Sequence, residues 1–113
     1  MLDILYYPEG ERGPVKEFLE RLARQRAKAF ARLALDLEIL GAEGLRSKQV
    51  SIRHLGGKLW ELRRPYEGIQ YRVFFGVWNG AVWLLHAIEK KGARAPDHEL
   101  ALARKRLKEG MAR

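Results

Sequence analysis

The apolar residues of this 113-residue chain change their period once, and that change limits the fold to a helical first half and a stranded second half. Between Val15 and Leu40 they recur every three or four positions, at Val15, Phe18, Leu19 and Leu22 and then at Phe30, Leu33, Leu37 and Leu40. That spacing puts side chains on one side of a helix. From Lys58 onward they alternate, with Trp60 and Leu62 set against Glu61 and Arg63, as on a strand that buries one face. A single helix over 14–40 would be about 40 Å long at ~1.5 Å per residue, too long for a domain whose radius of gyration should be about 13 Å. The polar run Arg24-Gln25-Arg26 interrupts the stripe, so the chain is expected to turn near Arg24–Ala27 and form a helical hairpin, with Gly41 and Gly44 ending its second arm.

The flanking segments complete the order. Leu2–Tyr7 is short, apolar and aromatic and is stopped by Pro8-Glu9-Gly10, the pattern of a strand entering a turn; Gly13-Pro14 then opens the first helix with proline at a tolerated position. Pro65-Tyr66-Glu67-Gly68 and Trp78-Asn79-Gly80 separate three strands beginning at Lys58, Ile69 and Ala81, a β-meander. Pro96 opens a last helix, with Asp97 and Glu99 near its start and Arg104, Lys105, Arg106 and Lys108 near its end, matching the helix dipole. The expected fold is α+β, one domain over 1–113, in the order β-α-α-β-β-β-α.

Charge points to a polyanionic partner. The net charge is +8, and it is uneven: 1–57 carries ten Lys/Arg against eight Asp/Glu (+2), whereas 58–113 carries twelve against six (+6). A localised excess attracts nucleic acid. The absence of cysteine excludes a disulfide scaffold, a thiol nucleophile and a cysteine-ligated metal. No apolar run approaches the ~18 residues of a membrane span, and Asp3 stands where a signal peptide needs positive charge. A soluble, cytoplasmic protein is expected.

Strand alternation gathers the candidate chemistry. Leu59, Glu61 and Arg63 share the face opposite Trp60 and Leu62, and Arg72 shares it from the next strand. Two planar, permanently charged guanidinium groups on a rigid sheet suit a phosphodiester clamp; the same spacing equally fits a cross-strand pair in which Glu61 neutralises Arg63 or Arg72. His54, before the Leu55-Gly56-Gly57 loop, and His86, near the end of the last strand, are candidate acid–base groups, while His98 is expected at the surface. Lys58, Arg64, Lys90, Lys91 and Arg94 are candidate phosphate contacts. The histidines lack metal-ligand spacing, and no glycine-rich nucleotide loop is present, so no metal or cofactor is expected.

The stretches Leu55-Gly56-Gly57-Lys58-Leu59-Trp60-Glu61-Leu62-Arg63, Tyr71-Arg72-Val73-Phe74-Phe75, Leu84-Leu85-His86-Ala87-Ile88-Glu89-Lys90-Lys91 and Pro96-Asp97-His98-Glu99-Leu100 resemble the RelE/ParE toxin superfamily, and within it the phage Gp49-like and HigB branch. The resemblance implies a RelE-like fold, a helical hairpin on a small, mainly antiparallel sheet. It also implies a ribosome-dependent endoribonuclease that cuts mRNA without metal, by attack of the RNA's own 2′-hydroxyl, and that a HigA-like helix-turn-helix antitoxin silences. By the same resemblance Arg72 and Arg63 bind phosphate, and Lys90 and Lys91 supply a basic position after the last strand; Glu61 or His54 is this chain's own candidate base, and His86 or Lys91 its candidate acid. Leu59 and Glu61 stand where RelE has lysines, and RelE's C-terminal tyrosine has no counterpart, so a ParE-like inhibitor of DNA gyrase is the alternative. Arg72→Ala is expected to abolish cleavage with the fold intact.

Overall fold

The chain folds around one five-stranded sheet sandwiched between a helical hairpin and a C-terminal helix, in a computed structural model that describes residues 1–90 and 95–113. In chain order the elements are β1 (Asp3–Tyr6), α1 (Pro14–Gln25), α2 (Ala27–Glu43), a 3-10 turn (Gly44–Arg46), β2 (Ile52–Gly56), β3 (Leu59–Tyr66), β4 (Ile69–Trp78), β5 (Ala81–Lys90) and α3 (Asp97–Met111). The strands lie side by side as β1-β5-β4-β3-β2. β1 runs parallel to β5 and all other pairs are antiparallel. The expected order holds, with β2 as one strand more.

The helical hairpin bends at one residue. Arg26 leaves helical geometry, at φ −145° and ψ 72°, and the Cα radius of gyration is 12.9 Å, a size that a continuous 14–43 helix would overshoot. Gly41 does not end α2. It lies inside the helix, where a Cβ would sit 3.1 Å from the Leu2 carbonyl oxygen, and its own carbonyl accepts the Leu2 N–H at 2.7 Å. The chain leaves the helix at Gly44, whose φ of +72° only glycine adopts without cost.

The two sheet faces bury different cores. Leu62, Tyr71, Val73, Phe75, Val82 and Leu84 pack with Val15, Leu22, Leu33 and Leu40 of the hairpin. Leu59, Phe74, Leu85 and Ile88 pack on the other side, where α3 contributes the fully buried Ala103 and the flanking Leu100 and Leu107. Such burial is worth about 1.5–3 kcal/mol for each large apolar side chain.

β2 escapes sequence reading because it is short, polar and bulged: Arg53 and His54 are exposed, and its register with β3 slips between His54 and Gly56. A second bulge matters more. Phe74 faces His86 whereas Phe75 faces Leu84, so Leu85 is an extra residue in β5. An inserted residue breaks strict alternation, and Leu85 and His86 both turn to the α3 side. Among the described residues no helix is long and apolar enough to cross a membrane.

Candidate nucleic-acid interface

The α3 side of the sheet collects Glu61, Arg63, Arg72, His86 and Lys90 of the predicted site residues. β3 supplies Glu61 and Arg63 and β4 supplies Arg72, which is the register partner of Arg63. Two guanidinium groups directly opposite repel, and Glu61 offsets this by accepting a hydrogen bond from Arg72 Nη1 at 3.0 Å. Both partners are buried, Glu61 at 3% and Arg72 at 2% exposure, under the apolar layer shared with α3. The face expected to be open is therefore covered where Arg72 lies, and of the two cross-strand pairings that the spacing allows, the one with Arg72 forms. Arg63 stays half-exposed and has no ion pair among the described residues.

Alternation extends the set. Arg53 of β2 is the register partner of Glu61 and is exposed, so it joins the same face. Lys90, partner of Gln70, follows Ile88 by two residues and lies on that side at the end of β5, exposed. Arg53, Arg63 and Lys90 thus ring the buried pair. Arg53 is hidden in the sequence for the same reason as β2, although Ile52-Arg53-His54 carries a trace of alternation. Lys58, exposed, occupies the β2–β3 turn, and Lys91 and Arg94 lie outside the described residues.

The two histidine candidates part company. His54 pairs with Trp60, on the hairpin side, where their rings lie 4.7 Å apart and its Nε2 meets the Gly57 carbonyl oxygen at 2.7 Å. The sheet separates it from Glu61 and Arg72. His86 does reach the α3 side, through the Leu85 bulge, and stacks on Phe74 at 6.0 Å. Its Nε2 is 3.0 Å from Glu99 Oε1 and its Nδ1 is 3.5 Å from Arg106 Nη1. A guanidinium only donates and a carboxylate only accepts, so these neighbours favour the tautomer with its proton on Nε2. Arg106 is itself fixed by the Leu85 carbonyl oxygen at 2.8 Å. His98 is on the surface as expected, its side chain 78% exposed.

Arg64 faces the other way. Its Nε and Nη2 both donate to Asp36 of α2 at 2.7 Å, a bidentate bond to a carboxylate that is 2% exposed. That hydrogen bonding raises the pKa of Arg64, against the opposing effect of burial. The side chain ties α2 to β3. Among the described residues no three His, Asp or Glu side chains converge as metal ligands would.

The arrangement presents solvent-reaching cations on the strands of one sheet beside a neutralised, buried ion pair, which suits binding of a phosphodiester backbone. The family model described as phage-derived protein Gp49-like matches residues 17–108. A search of curated proteins finds no match to the chain.

Proposed function

The chain belongs to the Gp49-like family of phage-derived proteins, and on that footing we propose that it is the toxin of a type II toxin–antitoxin pair, a ribosome-dependent mRNA endoribonuclease working in the cytoplasm. The observation that carries this reading is the ring of Arg53, Arg63 and Lys90 around the buried Glu61–Arg72 pair. Arg63 and Arg53 take the scissile phosphate and its neighbour, and Lys90 takes the backbone as it leaves the sheet. Arg72, being buried, acts through Arg63 by fixing the strand beneath it. Lys58 extends the basic border in this reading, and Lys91 and Arg94, outside the described residues, are proposed phosphate contacts by sequence.

In the reaction the RNA's 2′-oxygen attacks the adjacent phosphorus and the 5′-oxygen leaves, so one proton is removed and one delivered. Fixed cations stabilise the charge that builds on the phosphoryl oxygens. His86 is the proposed acid, its imidazole oriented by Glu99 and Arg106. Neither candidate base is favoured by its position: Glu61 is held by Arg72, and His54 sits across the sheet. The natural silencer is a HigA-like helix-turn-helix antitoxin.

A second reading, inhibition of DNA gyrase without RNA cleavage, draws on that same shortage of an accessible base beside the cations. Induction of the protein in cells separates the two. Mapping of mRNA 5′ ends should find cuts within translated codons; intact mRNA with blocked gyrase supercoiling would transfer the proposal to gyrase.

A further inference from the structure

At the end of the sheet two clefts meet. One, of about 450 Å³, is lined by Arg26, Lys28, Tyr66, Glu67, Ile69 and Tyr71 among others; the other, of about 230 Å³, is lined by Arg26, Ile69, Glu89 and Lys90. They share Arg26 and Ile69, so they form one trough that begins at Lys90, on the phosphate-binding face, and ends at Lys28 on the first turn of α2. The larger cleft alone lies within the ~300–1,000 Å³ of small-ligand pockets.

The trough has the make-up of a single-strand binding channel, in which backbone cations alternate with flat side chains that stack on bases. Arg26 is fixed at its centre: Nη1 donates to the Tyr71 hydroxyl at 3.1 Å and to Glu89 Oε2 at 2.9 Å. Both contacts use one nitrogen, which leaves the donors on Nε and Nη2 for a ligand. The hydrogen bond that Arg26 donates to Tyr71, followed by the charge of Glu89, raises the Arg26 pKa. Of the two acids, Glu89 is paired with Arg26, and Glu67 lies in the β3–β4 turn, exposed. Lys28 and Lys90 then lie at opposite ends with no ion pair among the described residues, and Tyr66 and Ile69 line the space between them.

We infer that this trough is an extension of the RNA site, holding the nucleotides beyond the scissile one with phosphates on Lys90, Arg26 and Lys28 and a base against Tyr66. The residue that bends the helical hairpin is thereby given a second task. The inference rests on the RNA-binding reading above, and it adds a substrate class of minimum length: single-stranded RNA long enough to cross from Arg63 to Lys28.

Fluorescence anisotropy with labelled single-stranded RNA of about four and about twelve nucleotides, spanning the usual site sizes, tests it on the full chain. The wild type should bind the longer RNA more tightly. Lys28→Glu and Tyr66→Leu should each weaken the longer RNA by about tenfold and leave the shorter unchanged, while Lys105→Glu, an equal charge change on exposed α3, should alter both RNAs alike and only slightly. Unchanged binding of the longer RNA by both trough variants overturns the inference and leaves the proposed function standing. Equal losses at both lengths overturn it as a separate extension. A wild type that binds neither RNA also overturns the inference, while the proposed function, being ribosome-dependent, stands or falls on the mapped mRNA 5′ ends.

Discussion

Arg72 and Glu61 are diagonal neighbours across β3 and β4, joined by a 3.0 Å hydrogen bond, and both are sealed from water. Removal of one member takes the opposite charge away from a buried group, which costs about 3–5 kcal/mol for a buried pair. Arg72→Ala and Glu61→Ala should therefore each lower the urea midpoint substantially, so the intact Arg72→Ala fold expected from sequence gives way to a stability loss. The double variant Glu61→Leu/Arg72→Met should recover most of it. A double variant no more stable than the singles would show that the pair does more than neutralise itself.

Arg63→Ala and Arg53→Ala should behave oppositely. Both side chains reach solvent, so stability should stay within about 0.5 kcal/mol of wild type. RNA binding should weaken, and the slope of log K against log salt should flatten by about one for each phosphate that is no longer neutralised. Unaltered affinity and slope in both variants would remove these arginines from the interface.

Arg64 is a candidate phosphate ligand by sequence, and its bidentate bond to Asp36 makes it instead a clasp between α2 and β3. Arg64→Ala should cost about 3–5 kcal/mol, because Asp36 is left buried and uncompensated; Arg64→Lys should restore only part, since a point charge cannot match two parallel bonds. Cleavage per folded molecule should be unchanged. Weaker RNA affinity at full stability would reverse this assignment.

Tyr7 donates its hydroxyl proton to Glu109 Oε2 at 3.0 Å, and burial, followed by that hydrogen bond and the carboxylate charge, raises the phenol above its ordinary 10.0. A raised folded value favours the protonated form in the native state. The stabilisation is complete below pH ~10 and is lost as pH rises through the higher folded value. Comparison of wild type with Tyr7→Phe should show an advantage of about 1 kcal/mol near neutrality that shrinks above pH ~10. An advantage that stays flat to pH ~11 would contradict this linkage.

Much of the architecture is readable because it follows from period. The shift from helical spacing to alternation specifies the hairpin and the meander, and the length of the 14–40 stripe forces the bend that Arg26 supplies. Family resemblance is equally legible, and the Gp49-like match over 17–108 agrees with it. What escapes lies in single-residue irregularities. Leu85 is inserted into β5, and a rule of strict alternation sends His86 to the wrong face. β2 has too few apolar residues to announce itself, so Arg53 gives only a trace of a signal and His54 looks like a loop residue. Burial of Arg72 is a matter of tertiary packing, which leaves no local signal.

Beside its apolar contacts, the last helix and the residues after it are tied by arginines to the backbone beneath. Arg104 donates to the Leu55 carbonyl oxygen at 2.9 Å, Arg106 to that of Leu85 at 2.8 Å, and Arg113 to that of Pro8 at 2.8 Å. Every residue type carries a carbonyl oxygen, so replacing the side chains at 8, 55 or 85 cannot delete the acceptors. The side chains that make these three ties all lie in the C-terminal segment. The positions beneath can change their side chains without surrendering these three ties to the last helix and its tail.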